Sequence, residues 1–486
     1  MKLFNAAKAH IDKTTMYRTV LYSLVGLTVW SWIFGFIGLV DFFPVAMAIQ
    51  LLIAVGVGYA VDRLLAYMFK VKPNPESILI TAFILYFLIS PKGSTESFVL
   101  IGLAAAFAAM SKYLVTWHGK HIFNPAAIGV AVLSLAGLGY ASWWVATPWL
   151  LPFVFILGSV VVYKTKRTDM ALFYILASLV MITINSSLNG TFEPSLIWTA
   201  LSSYPILFFA GFMLTEPQTL APRKRQRNAV AIIVAVLANS GFAFGPIAAS
   251  PELALLIGNA ISAFVARQRT AVLKLTSRRK LPGDQVEYAF VSHKPLQFEA
   301  GQYAELHLPH IKPDERGYRR MLTIASRPGT NRVTIITRHP EPSSTFKKTL
   351  MKLGVGKQVR ITGVWGDFVL PHDRGQKLLL VAGGVGITPF LSQLEWLEHE
   401  GQVRDVVLIY SVKDKNEAID LVQYKKIAKI ILHEGVLTTD ILDQYVPDIA
   451  KRIVYISGPP KMVDSVSVQA RKSGALRVRR DFFAGY

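Results

Sequence analysis

The sequence predicts a multi-domain protein: a bundle of ten transmembrane α-helices, then an antiparallel β-barrel, then an α/β domain with a parallel sheet. Three observations predict it. Of the 486 residues, 52% are hydrophobic and only 17% are charged, which excludes a disordered chain and favours a membrane component. Long apolar runs fill residues 1–270, whereas the later residues carry ordinary surface charge and short apolar segments. We therefore expect domains over residues 1–270, 271–372 and 373–486.

Ten apolar segments are predicted to be membrane helices. Several reach the ~20 residues that a helix needs to cross ~30 Å of hydrocarbon. A soluble helical core can hide a few such runs, but not ten in succession. The segments centre on Leu27, Ile53, Leu85, Ala105, Val132, Phe155, Ile175, Phe208, Val236 and Ile261.

The basic residues indicate the orientation of these spans. The net charge is +21, and residues 1–270 hold 19 Lys/Arg against 9 Asp/Glu. The N-terminal tail and the even-numbered connections are basic, whereas the odd-numbered connections carry only Lys92. By the positive-inside rule, we expect a multi-pass protein of the inner (cytoplasmic) membrane with both termini in the cytoplasm. The Arg223–Arg227 cluster lies between two spans without interleaved aromatics, so no nucleic-acid partner is expected.

Two similar segments suggest an internal repeat. Residues 78–83 lead to Ser90-Pro91 at the end of span three, and residues 206–211 lead to Glu216-Pro217 at the end of span eight. Five spans per repeat is an odd number, so the two repeats would be inverted, as in many transporter folds.

Two polar stretches interrupt the apolar half, one over residues 121–129 with the letters HIFNPAAIG and one over residues 212–219 with FMLTEPQT. Asn124 before Pro125 can simply cap a helix. Alternatively, broken helix ends inside a membrane protein offer dipoles and backbone groups to a ligand. In this order, the two motifs resemble the D-type membrane protein of Rnf electron-transport complexes and the B-type membrane protein of the sodium-translocating NADH:quinone reductase, over most of residues 20–266.

This resemblance implies an FMN linked through a phosphoester to a threonine on the outer side of the membrane. The comparable residue here is Thr147, although the Ser-Gly of the family motif is missing before it. The alternative is that Thr147, followed by Pro148, begins a helix.

The second half contains a glycine-rich turn between a strand and a helix. After a linker over residues 274–280, residues 281–370 alternate in the manner of a small barrel. The strand Lys377–Ala382 then leads into GGVGITP and an amphipathic helix over residues 390–400. Such a turn lets backbone N–H groups approach a pyrophosphate at the helix N-terminus.

The stretch over residues 319–326, RRMLTIAS, offers a cation and a hydroxyl group on one strand. It resembles the Arg-x-Tyr-Ser/Thr flavin motif of the ferredoxin–NADP reductase superfamily, with Leu322 in place of the aromatic residue. The resemblance extends over residues 271–486 and includes FEAGQY, GGVGITP, SGPPKM and the ending DFFAGY. It implies FAD and a nicotinamide dinucleotide as cofactors.

The same resemblance implies roles for individual residues. Arg320 would contact the flavin phosphate, Leu322 would occupy the stacking position and Thr323 would meet the isoalloxazine edge. Ser344 and Thr345 would cradle the flavin pyrophosphate. The nicotinamide dinucleotide would pass Gly383, Gly384 and Gly386, with Thr388 and Pro389 near the nicotinamide. Ser457, beside Gly458 and Pro459, replaces a cysteine of many members, and Tyr486 would shield the flavin. Thr323, Thr388, Ser457 and Tyr486 are thus the candidate catalytic residues.

Together these features predict a membrane flavoprotein that takes hydride from NAD(P)H onto FAD and passes electrons to a membrane-domain flavin, a quinone or a partner protein. With no cysteine in the chain, a thiolate-held iron–sulfur cluster is excluded. A transporter or channel with a redox-sensing domain is the alternative. A haem-type transmembrane reductase is disfavoured, because His10, His118 and His121 all lie outside the span centres. Lys413 and Lys415 are candidates for a ribose 2′-phosphate, so NADH and NADPH both remain open.

Overall fold

The structure is a computed structural model that describes residues 14–71, 73–117, 120–244, 247–266, 269–314 and 317–481. The chain divides between Val265 and Ala266 into two compact units, which are described separately.

The first unit is helical. Its helices often begin at Pro, whose missing N–H is tolerated in a first turn, and several have a capping Ser, Thr or Asn just before them. Ser94, for example, accepts a hydrogen bond from the N–H of Ser97. The helices are Met16–Phe36, Pro44–Met68, Pro75–Leu88, Thr95–Leu114, Pro125–Leu135, Leu151–Thr165, Thr168–Leu188, Leu196–Ser203, Ile206–Met213, Lys224–Ala238 and Pro251–Ala266. Four short strands pair antiparallel in two pairs, β1 (Thr116–Trp117) with β2 (Lys120–His121) and β3 (Ala243–Phe244) with β4 (Ile247–Ala248).

Within the described residues, four helices are long and apolar enough to cross a membrane: Met16–Phe36, Pro44–Met68, Thr95–Leu114 and Thr168–Leu188. The pair Leu196–Ser203 and Ile206–Met213, bent by 54° at Pro205, makes a fifth if it counts as one span. Each of the ten predicted centres lies in a helix, but the remaining helices are shorter. The count of ten crossings therefore stays a prediction.

Helix packing in this unit has a recurring pattern. Pro44–Met68 packs against Thr95–Leu114, and Thr168–Leu188 packs against Lys224–Ala238. These four helices hold the predicted spans two, four, seven and nine, which would correspond in a five-plus-five repeat. The inverted repeat itself stays a prediction.

The second unit begins with a six-stranded antiparallel sheet in the order β8-β7-β10-β5-β6-β9. Its inward residues, including Leu273, Tyr288 and Ile335, form one buried cluster. The expected linker over residues 274–280 is wrong, because these residues continue the first strand, where Leu273 and Leu275 are buried and Thr276 begins the exposed end. The strands are β5 (Ala271–Lys280), β6 (Gln285–Ser292), β7 (Tyr303–His307), β8 (Arg319–Thr323), β9 (Arg332–Arg338) and β10 (Gln358–Trp365).

A five-stranded parallel sheet follows, in the order β13-β12-β11-β14-β15. Its strands are β11 (Lys377–Gly383), β12 (Val406–Val412), β13 (Lys429–Glu434), β14 (Arg452–Ser457) and β15 (Arg477–Arg480). β11, β12 and β14 are buried and consist of nearly continuous apolar runs, as a sheet covered on both faces requires. The covering helices include Thr388–His399, Thr439–Tyr445 and Pro460–Lys472. The barrel and the parallel sheet confirm the predicted fold of this half.

Candidate functional site

The glycine-rich turn lies at the carboxyl end of β11, where an open α/β sheet binds its ligands. Gly384 has φ +52°, and a Cβ built on it meets no atom within 4 Å, so this turn faces open space. Gly386 is enclosed: a Cβ there would lie 2.6 Å from both N and Cα of Gly458. Only glycine permits this approach, which brings the Gly383–Gly386 turn against the Ser457-Gly458 turn of the neighbouring strand.

Thr388 begins the helix that follows the turn. Its hydroxyl group donates to the carbonyl of Val385 at 3.0 Å, and the side chain is buried. Pro389 occupies the first turn, where its missing N–H costs nothing. The helix starts two residues earlier than expected and thus aims its N-terminus at the glycine turn.

Ser457 ends β14 and is buried, and its hydroxyl group donates to Asp481 Oδ2 at 3.0 Å. Burial raises the pKa of Asp481 to about 6. Sequence reasoning missed Asp481. An acidic residue just before the closing aromatic residues was the available signal, but nothing in the local pattern shows that β15 carries it to Ser457.

The predicted flavin-phosphate residues meet around Asp314. Arg320 donates from Nη2 to both carboxylate oxygens of Asp314, at 2.6 and 2.7 Å. The backbone N–H of Asp314 donates to Thr345 Oγ1 at 3.0 Å, and His310 Nε2 lies 3.1 Å from the same hydroxyl group. Ser344 caps the helix Thr345–Lys352 by accepting from the N–H of Lys347. Asp314 therefore joins Arg320 to Thr345, with its side-chain carboxylate on Arg320 and its backbone N–H on the Thr345 hydroxyl group.

Leu322 and Thr323 end β8, opposite Ala304 and Tyr303 of β7. Thr323 is buried, whereas Leu322 is partly exposed. The strand alternation thus places the two side chains on different faces of the sheet.

Polar contacts join the barrel to the parallel-sheet domain within this unit. Ser392 Oγ donates to the carbonyl of Ser326 at 2.7 Å, and Gln393 Nε2 donates to the carbonyl of Phe368 at 2.8 Å. Both donors are on the helix that follows the glycine turn. The barrel and the parallel-sheet domain therefore belong to one packed body.

Most of the sequence-predicted site residues fall into two groups, and Leu322 and Thr323 at the end of β8 belong to neither. One group lies on the barrel and consists of Arg320, Ser344 and Thr345. The other group lies at the glycine-rich turn and the turn after β14, and it consists of Gly383, Gly384, Gly386, Thr388, Pro389, Ser457, Gly458 and Pro459. Tyr486 lies outside the described residues. Thr147 belongs to the first unit, where its hydroxyl group accepts from the N–H of Leu150 at 3.4 Å, just before the helix Leu151–Thr165.

The residues present fit a dinucleotide and a flavin. The turn around Gly384 presents backbone to open space at the start of a twelve-residue helix, which suits a pyrophosphate. On the barrel, Arg320 already holds an anionic group, the Asp314 carboxylate, next to a capped helix N-terminus. A phosphate has the same charge sign as that carboxylate and, like it, can accept paired hydrogen bonds from an arginine.

A second polar cluster lies in the first unit. Glu216 Oε1 is 3.0 Å from His121 Nε2, and Glu216 Oε2 accepts from Asn124 Nδ2 at 2.9 Å. Asn124 caps the helix Pro125–Leu135, since its Oδ1 accepts from the N–H of Ala127. Asn259 Oδ1 accepts from the backbone N–H of Asn124 at 2.8 Å. Asn124 and Glu216 also line a cavity whose other walls are largely apolar.

The barrel, the parallel sheet and the glycine turn form a two-domain unit, and this part of the chain is similar to known reductase components. The C-terminal part of the chain is similar to the NADH oxidoreductase HCR of Escherichia coli, with 26% identity over 205 residues, 40% of this chain and 62% of the relative. It is similar to the reductase subunit of an aromatic O-demethylase from Amycolatopsis, with 28% identity over 39% of this chain and 62% of the relative. It is also similar to reductase component 2 of terephthalate 1,2-dioxygenase from Comamonas, with 29% identity over 39% and 60%. The chain thus spans less than two thirds of each relative.

Among solved structures, the cytochrome P450 reductase GcoB of Amycolatopsis aligns with 24% identity and a TM-score of 0.40, over 44% of this chain and 70% of that one. Phthalate dioxygenase reductase aligns with 23% identity and a TM-score of 0.36, over 44% and 67%. No protein-family model matches the chain. The resemblance of residues 20–266 to the membrane proteins of the Rnf and sodium-translocating reductase complexes stays a prediction.

Proposed function

We propose that this protein is a membrane flavoprotein oxidoreductase that oxidises NAD(P)H at its C-terminal module and passes the electrons to an acceptor at the membrane. The observation that carries the proposal is the contact of Gly386 with Gly458, because it assembles a nucleotide-type turn beside Ser457 in a module whose relatives are reductase components.

The barrel residues would hold FAD. Arg320 would exchange its carboxylate partner Asp314 for a flavin phosphate, and Ser344 and Thr345 would offer hydroxyl groups and helix N–H donors to the pyrophosphate. Thr323 would contact the edge of the flavin ring, and Leu322 would pack beside it. When bound, FAD supplies the hydride-accepting and electron-releasing chemistry.

The parallel-sheet domain would hold the nicotinamide dinucleotide. Backbone N–H groups of the turn Gly383–Gly386 would approach its pyrophosphate. Thr388, Ser457 and Asp481 would position the nicotinamide end, because Asp481 fixes the orientation of the Ser457 hydroxyl group. Tyr486 would exclude water from the flavin face.

The first unit would carry the electrons from the C-terminal module to the acceptor. In the part of the chain that the structure describes, four helices, or five with the bent pair, are long and apolar enough to anchor the chain in a bilayer. The acceptor would be a quinone, a partner protein or an FMN at Thr147. The protein would lie in the inner membrane with both termini in the cytoplasm, because the basic loops are expected on the cytoplasmic side.

An acceptor assay tests the proposal. The purified full chain, loaded with FAD and placed in liposomes, is mixed anaerobically with NADH or NADPH, with and without a quinone in the bilayer. We expect nucleotide oxidation to continue past one equivalent only when an acceptor is present. Oxidation that stops at one equivalent with quinones and soluble redox proteins alike would refute the onward transfer. Flavin fluorescence that stays with the polypeptide after acid precipitation would indicate a covalent FMN. Loss of that fluorescence in Thr147→Ala would locate the FMN at Thr147.

The alternative function is a transporter or channel with a redox-sensing domain. The cluster of Glu216, His121 and Asn124 favours it, since ionisable residues within an apolar unit often mark a solute path. The same liposomes distinguish a transporter from an oxidoreductase. A transporter moves solute across the bilayer in an amount that is not proportional to the nucleotide oxidised. A haem-type reductase is less well supported, because His121, its one described histidine in the first unit, lies 3.0 Å from the Glu216 carboxylate.

A further inference from the structure

The first half of strand β5 presents a mixed basic and apolar face to solvent. Leu273 and Leu275 point into the barrel core, so Val272 and Lys274 point outward. Val272 is 46% exposed, although burial is the rule for valine in a strand.

The sheet register extends this face over the neighbouring strands. Lys274 lies opposite Gln358 of β10 and opposite Val291 of β6, and Val291 in turn lies opposite Arg332 of β9. Residues that are directly opposed in an antiparallel sheet point to the same side. One row thus crosses four strands, and all of its members are exposed.

A second row and a turn complete the surface. Arg360 lies opposite Val272. The turn that carries Val355 is held beside β5, because Gly356 N–H donates to the Leu275 carbonyl at 2.8 Å. Val355 is 70% exposed. We name this surface the β5 face, and it comprises Val272, Lys274, Val291, Arg332, Val355, Gln358 and Arg360.

The charges of the β5 face are not neutralised. None of its seven residues is acidic, and among the described residues neither Lys274, Arg332 nor Arg360 makes an ion pair. At the other end of the barrel the arrangement differs. There Arg279 pairs with Glu287 at 3.1 Å and Arg338 pairs with Asp284 at 2.6 Å.

We propose that the β5 face docks on the anionic headgroups of the bilayer in which the first unit is anchored. Cations with interleaved exposed aliphatic side chains suit a surface that is negatively charged outside and apolar beneath. Chain connectivity favours a lipid surface over an acidic protein as the docking partner. Strand β5 begins at Ala271, only five residues after the end of the apolar helix Pro251–Ala266. Five residues span at most ~18 Å.

Site-specific labelling tests this, because the chain contains no cysteine. Val291→Cys carries an environment-sensitive fluorophore in the FAD-loaded full chain, placed in nanodiscs that contain brominated lipid as a quencher. Val436→Cys, at a position 76% exposed and outside the barrel, serves as the reference label. We expect quenching at position 291 in discs with phosphatidylglycerol, and its loss in phosphatidylcholine discs or at 1 M salt, where the screening length falls to ~3 Å.

Charge variants complete the test. The combined Lys274→Gln, Arg332→Gln and Arg360→Gln variant should lower the ratio of docked to undocked module about a hundredfold. The combined Arg278→Gln, Arg279→Gln and Lys280→Gln variant removes the same charge from the far end of β5 and should leave quenching unchanged. Equal quenching in neutral and anionic discs, equal quenching at positions 291 and 436, or equal effects of the two variants would overturn the proposal. These outcomes do not depend on nucleotide oxidation.

Discussion

The substitution Gly386→Ala probes the glycine turn most sharply. The added Cβ would lie 2.6 Å from the N and Cα atoms of Gly458, about 1 Å closer than the ~3.5–4.0 Å of an ordinary contact. The clash involves backbone, so no side-chain rotation relieves it and the two turns must move apart. Overpacking of this kind costs about 1–3 kcal/mol, which a domain with about 5–15 kcal/mol of stability survives.

We expect the displacement to act on turnover. A shift of about 1 Å in a bound reactant lowers the rate about a hundredfold. The assay is NAD(P)H-dependent ferricyanide reduction by the purified full chain, with the FAD content and the melting temperature measured on the same sample. Gly354→Ala is the matched control, since its Cβ would lie 3.8 Å from Lys357 Cγ and meets no clash. Unchanged turnover by Gly386→Ala at equal FAD content would refute the assignment of this turn to the nucleotide.

Three further predictions follow from single contacts. Arg320→Gln should weaken FAD binding about tenfold to a hundredfold in a fluorescence titration, because a hydrogen bond to a charged group contributes about 1.5–3 kcal/mol; an unchanged Kd would contradict the role of Arg320. Burial raises the pKa of Asp481 to about 6, so its contribution to the free energy of unfolding is fully present below about pH 4 and is lost as the pH rises through 6. Asp481→Asn should therefore flatten that pH dependence and stabilise the module at pH 7 by about 3 kcal/mol, and parallel melting curves against pH would contradict this. Glu216→Ala removes the acceptor of Asn124 and the partner of His121, and should destabilise the first unit in detergent by about 2–4 kcal/mol, with Glu216→Gln less affected; equal melting temperatures would contradict the pairing.

Strong periodic signals made the elements of the fold predictable. Each predicted apolar centre lies in a helix, because a helix satisfies all the backbone hydrogen bonds of a long apolar run within the run itself. The break in the eighth segment was not predicted. Pro205 separates Leu196–Ser203 from Ile206–Met213, and the second piece winds as a π-helix over Phe209–Met213. Such winding leaves no residue pattern that periodicity detects.

The candidate site was predictable where backbone conformation restricts residue type. Gly386 and Gly458 stand out in sequence because a close approach of two turns tolerates only glycine. Asp314 and Asp481 did not stand out, because their partners Arg320 and Ser457 are fixed by tertiary contacts. The Arg and Lys residues of the exposed end predict a linker over residues 274–280, whereas pairing with β6 and β10 makes these residues part of strand β5.

The central claim is that the C-terminal module takes hydride from a nicotinamide nucleotide onto FAD. Anaerobic stopped-flow mixing of the FAD-loaded full chain with NADH or NADPH measures this step alone, through the visible absorbance of the flavin. We expect bleaching within the dead time or the first seconds for at least one nucleotide, and bleaching slowed about a hundredfold in Gly386→Ala. A flavin that stays oxidised with both nucleotides would contradict it.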